Sequence, residues 1–242
     1  MHYLRTYASP QRNDISNRRL GRSLAFVAGA VNAGGFFAVG EYTSHMSGVV
    51  SSLADNLALG HTALLLAGLL SLAAFFLGAA TSAILINWGR RREAHSRYAL
   101  PLLLEAALLL TFGLMGARLA AHGHIAATVA LLCFVMGLQN AIVTKASRAE
   151  IRTTHVTGLV TDIGIELGKL FYWNRDRAAD SPVTADRRRL ALLASLLAMF
   201  LAGGLAGAFG FKYLGFVTTV PLAIALLLLA IVPLLDDVRA GW

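Results

Sequence analysis

A short stretch that the chain carries twice sets the terms for its fold. Thr43-Ser44-His45-Met46-Ser47-Gly48 returns as Thr153-Thr154-His155-Val156-Thr157-Gly158. Ahead of each stands a matching run, Gly29-Ala30-Val31-Asn32-Ala33 and Gly137-Leu138-Gln139-Asn140-Ala141, so the whole pattern recurs 108 to 110 positions apart. Ser71-Leu72 and Phe76-Leu77 match Ser195-Leu196 and Phe200-Leu201, and Pro101 and Pro221 open the last apolar segment of each half. Matches in this order describe a duplicated chain. Its halves are residues 22–121 and 122–236, between a polar Arg-rich tail, 1–21, and a C-terminal tail, 237–242, both expected in the cytoplasm.

The solvent of this fold is lipid. Hydrophobic residues make up 57% of the chain and charged ones 14%, against about a quarter charged in a soluble domain; mean hydropathy is +0.64. The net charge of +8 sits in loops between apolar runs, which points to membrane orientation and away from nucleic acid. Cys133 is the single cysteine and lies inside an apolar run, so disulfides and Cys-based zinc sites are excluded. The first apolar run, from about Leu24, lacks a clear cleavage site and reads as a retained membrane anchor.

Six apolar segments are long enough to span, at about 23–40, 62–88, 99–120, 125–145, 190–211 and 216–235. Two more, 47–60 and 156–172, are short: at about 1.5 Å per residue the first is roughly 20 Å of helix against a core of about 30 Å. Basic residues collect in the tail and in 89–97, 145–152 and 174–189, leaving Arg118 and Lys212 for the other side. With all four basic regions cytoplasmic, neither short segment can cross. The expected fold is therefore an all-α integral membrane protein with six transmembrane helices in two inverted three-span repeats. Each repeat carries a short re-entrant or broken helix after its first span, as in many transporters.

The paired signatures, Gly29-Ala30-Val31-Asn32-Ala33 with His45-Met46-Ser47-Gly48, and Met136-Gly137-Leu138-Gln139-Asn140-Ala141 with Thr154-His155-Val156-Thr157-Gly158, resemble those of the YoaK family of bacterial membrane proteins. The resemblance runs from about residue 22 to 235. It implies about six spans in a bacterial inner membrane and, because the family is a domain of unknown function, no substrate. The family's usual T-G-N reads Ser47-Gly48-Val49 here.

The repeated motif suits a helix start: hydroxyls cap free N–H groups, Gly allows a tight backbone, and the positive helix end faces the bilayer centre. Thr43, His45, Ser47 and Gly48 from one half and Thr153, His155, Thr157 and Gly158 from the other are thus candidate solute-binding residues, meeting tip to tip. The alternative is that each motif is only a cap. Asn32 and Asn140 either line the pathway or bond between helices. Asp162 shares a helical face with His155 and Glu166, and of the two acids it is the stronger candidate. Glu105 and Asp55 are expected at the interface or in a cavity. No H-E-x-x-H or G-x-S-x-G occurs, so no metal, cofactor or catalytic residue is expected. The favoured function is a secondary transporter for a small polar or anionic solute, coupled to protons through His or Asp162, with homo-oligomers possible in the bilayer. A channel comes next, then a non-transporting membrane protein, and an intramembrane enzyme last.

Overall fold

A computed structural model describes residues 14–92, 97–121, 125–147, 151–174 and 182–239. The loop histidines His122 and His124, the segment 175–181 and most of the two tails lie outside them. Among the described residues the chain forms eight α-helices. They are α1 (Asp14–Val39), α2 (Met46–Leu59), α3 (Thr62–Arg91), α4 (Ala99–Ala121), α5 (Ile125–Ala146), α6 (Val156–Phe171), α7 (Arg187–Leu214) and α8 (Thr219–Arg239). A single 3-10 turn, Gly215–Thr218, joins the last two.

Both short segments are helices where the sequence places them, and both stay shorter than a bilayer core. α1 starts earlier than the apolar run does. It includes residues 14–21, where Leu20 is buried and a side chain on Gly21 would press on Ile151. Among the described residues four stretches are long and apolar enough to cross a membrane: Thr62–Arg91, Ala99–Arg118, Ile125–Ala146 and Arg187–Ile231. The last holds two of the expected spans. α1, which carries Arg18, Arg19, Arg22 and Asn32, is not among them. The result is an all-α, multi-pass membrane protein.

Packing crosses between the halves. α1 lies mainly on α7, α3 on α5, and α4 on α8, while α2 rests on α3 and α6 on α7. The first two contacts are built alike. A Cβ on Gly29 would overlap the Phe200 carbonyl, and one on Gly203 the Phe26 carbonyl. In the other pair, Gly137 meets the Phe75 carbonyl and Gly78 that of Phe134. Only glycine lets backbones approach so closely, and in lipid such packing, rather than the hydrophobic effect, holds helices together. These contacts also set the correspondence between halves. Phe26 answers to Phe134, as the sequence match has it, but Phe75 answers to Phe200, 125 positions on. The Ser-Leu and Phe-Leu match gives 124, because similar side chains in a helical run tolerate a one-residue slip that backbone contact does not.

Candidate functional site

Each repeated motif is a loop stapled to the helix before it. The Asn32 side-chain oxygen accepts from the Ser44 N–H at 3.2 Å and the Ser44 hydroxyl at 2.8 Å. In the second half the Thr154 hydroxyl donates to the Asn140 oxygen at 2.7 Å. The G-x-x-N-A run therefore exists to hold the T-[ST]-H run, which brings the chain back alongside the helix it has just left.

The expected hydroxyl caps are not made. His45 and His155 occupy the N-cap positions of α2 and α6, and neither helix has a side-chain cap. Instead each imidazole folds back over the first helical turn, where a Cβ on Gly48 or Gly158 would overlap the ring. Glycine is needed three residues on to leave room for that ring. Thr43 and Thr153 are buried behind the loop, at 1% and 0% exposed, and neither hydroxyl has a partner. Such orphaned groups are rare in packed proteins.

A cavity of about 750 Å³ opens beside the first motif. Thr43, His45 and Gly48 form one wall, Ser52 and Asn56 of α2 another, and Gly68 and Ser71 of α3 a third. Ile125 to Cys133 of α5 close it, so both halves contribute. Glu41 and Tyr42 also line it, and no Lys or Arg does among the described residues. Of the expected site residues, Thr43, His45 and Gly48 reach this cavity. Asn32 stands behind the loop, and Ser47 is exposed on α2.

The second motif is not part of it. None of Asn140, Thr153, His155, Thr157, Gly158 or Asp162 lines the cavity, and α2 and α6 do not pack on one another. Each short helix is held by the long helix that follows it, α2 by α3 and α6 by α7. Asp162 pairs with Arg189 of α7 at 3.0 Å, half-exposed. Glu166, rated below Asp162 from sequence, is the buried acid. It accepts from Lys169 at 2.8 Å and from the Asp186 N–H at 2.8 Å. These bonds, the Lys169 one first, hold its carboxyl below the usual range. Asp186 in turn caps α7 by accepting from the Arg188 and Arg189 N–H groups, which holds its own carboxyl down.

Sequence reasoning missed the cavity's far walls, Ser71 and Cys133, whose segments read as plain apolar spans. It also placed Glu105 at an interface or in a cavity. Glu105 is instead fully buried, hydrogen-bonded to Gln139 of α5 at 2.7 Å, and does not line the cavity. The legible signal was a lone acid in an apolar run, together with a Gln inside the signature itself. Among the described residues no group of three or more His, Cys, Asp or Glu is placed to hold a metal.

Helices this apolar, crossing between halves and enclosing a polar-edged cavity, define a multi-pass α-helical membrane protein. The chain belongs to the DUF1275 family, a family of proteins of unknown function, which it matches over residues 20–232. No curated protein and no solved structure matches it.

Proposed function

We propose that the chain is a permease for a small polar solute in the bacterial inner membrane, with six spans in two inverted repeats and both termini in the cytoplasm. The reciprocal glycine contacts of α1 with α7 and of α5 with α3 support the repeat plan, and the basic loops support the orientation. One observation carries the functional reading. Thr43, whose hydroxyl is buried and unpartnered, lines a cavity that also presents His45, Ser52, Asn56 and Ser71. A polar solute bonds to this set and reaches the Thr43 hydroxyl once the loop shifts to admit it. With Glu41 in the wall and no Lys or Arg there, a neutral or cationic solute fits better than an anion.

The test is a thermal-shift screen of the detergent-purified protein against neutral, cationic and anionic small molecules. A ligand at a hundred times its Kd adds about 2.7 kcal/mol of apparent stability. Thr43→Val keeps the shape and removes the hydroxyl, so it should abolish the shift and leave ligand-free melting unchanged. A shift that persists in Thr43→Val overturns the site. Saturable, uphill uptake into proteoliposomes then separates a permease from a channel.

A further inference from the structure

Glu105 lies nearly two turns into α4 with no exposed surface, and Gln139 faces it from α5 at 1% exposed. Their one hydrogen bond, Gln139 Nε2–H to Glu105 Oε1 at 2.7 Å, leaves an oxygen on each side chain without a partner, Glu105 Oε2 and Gln139 Oε1. Both orphans are acceptors when the carboxyl is ionised. A carboxylate has no proton to give and an amide oxygen never does. Left so, the core holds an uncompensated charge and two unmade hydrogen bonds in a low-dielectric surrounding, each costly.

Among the described residues no ionisable side chain is bonded to Glu105; the nearest cation along its own segment, Arg97, is eight residues away, roughly 12 Å at helical rise, and lies over the Tyr98 ring. The ionisable side chains described on elements packed against α4 are Cys133 and Lys145 of α5 and Arg90 and Arg91 of α3, with Arg118 on α4 itself. Among the described residues Gln139 is the only side chain bonded to Glu105, and no ion pair reaches it. Cys133 faces the cavity. Lys145 bonds Asn87 six residues beyond Gln139, roughly 9 Å along the helix. Arg118 is thirteen residues on from Glu105, roughly 20 Å.

In the sequence match, Gly29 with Gly137 sets Val31 against Gln139, and Pro101 with Pro221 sets Ala225 against Glu105. Ala225 is exposed, and α1 and α8 are not among the principal packed pairs, so the other half builds no buried counterpart of this contact. The polar pair is peculiar to α4 and α5.

We propose that Glu105 and Gln139 form a proton-binding site. One proton, taken from water onto Glu105 Oε2, is donated to Gln139 Oε1, while Gln139 Nε2–H keeps its bond to Glu105 Oε1. A single hydrogen satisfies both orphans and removes the charge. Release returns the proton to water and sets two bare acceptors against each other, which drives α4 and α5 apart at this point. Its use in coupling protons to solute movement rests on the transport reading above; its occupancy by a proton does not.

Infrared spectroscopy of the purified full-length protein at neutral pH tests this directly. The expected result is a C=O stretch of a protonated carboxylic acid that is lost in Glu105→Gln. That substitution preserves a two-bond pair with Gln139 and should fold. Gln139→Leu keeps the acid but removes its partner, and should move the band to higher frequency. If Glu105→Gln does not fold, the Gln139→Leu shift decides. A spectrum unchanged by both substitutions overturns the site. Loss of the band with no solute found leaves the proton site standing and removes the transport reading instead.

Discussion

The two motif loops share one construction and differ in what surrounds them. Both have an Asn staple, a buried unpartnered Thr, an imidazole folded over the next turn and a Gly that makes room for it. The first faces a cavity, and the side-chain bonds described on its helix are neutral, Asn56 Nδ2 donating to the Ser52 carbonyl at 2.8 Å and to the Ser52 hydroxyl at 2.9 Å. The second is tied down by charge, through Asp162 with Arg189 and Glu166 with Lys169 and Asp186. Near it Arg22 Nε also donates to the Ser195 hydroxyl at 2.8 Å, joining α1 to α7. The difference teaches that one loop construction can be set in unlike surroundings. The halves part company in the cavity on one side, the ion pairs on the other, and Glu105 with Gln139 between helices.

The largest effect should come from breaking what the halves share. Gly29→Leu and Gly137→Leu each force a side chain into a facing backbone carbonyl, where overpacking costs about 1–3 kcal/mol or more. Both variants should lose folded yield to a similar degree by size-exclusion chromatography in detergent. A well-folded variant in only one half would show that the two contacts are not equivalent.

Next comes the staple. Asn32→Ala and Asn140→Ala remove hydrogen bonds worth about 0.5–1.5 kcal/mol each and should lower melting by comparable amounts. Only Asn32→Ala should also weaken ligand stabilisation, because only its loop lines the cavity.

The smallest effect separates the two short helices by pH. Glu166 and Asp186 sit below their usual range. The stability they contribute is therefore present above the unfolded carboxylate values, around pH 4, and is lost as pH falls through their folded values. Amide hydrogen exchange should show α6 losing protection on acidification below about pH 4, while α2, held by a neutral bond, keeps its own. Equal loss in both helices would mean that the ion pairs do not anchor α6.

Helix positions were legible because lipid writes them into composition. The short helices at 46–59 and 156–171 follow from the Gly and hydroxyl-rich breaks before them, and the halves from the motif itself. The cavity was half legible, since Thr43, His45 and Gly48 were visible as a motif. Ser71 and Cys133 were not, for a helix apolar on every side shows no periodicity that says which face is inside. The pairing of Glu105 with Gln139, 34 positions apart, depends on how α4 and α5 are rotated, and hydropathy does not record that. The caps failed for a local reason: the Ser44 and Thr154 hydroxyls found a stronger claim on them in the Asn side chains.

The crossing of partners between halves also has a consequence in time. α1 ends at Val39, and its principal partner begins at Arg187. At a synthesis rate of about 5–20 residues per second, those intervening residues take roughly seven to thirty seconds to emerge. Through that interval the small-residue face of α1 has no α7 to pack against. α3 likewise waits for α5, though far more briefly. An arrest of translation anywhere before α7 leaves a first half that has been inserted and cannot yet close.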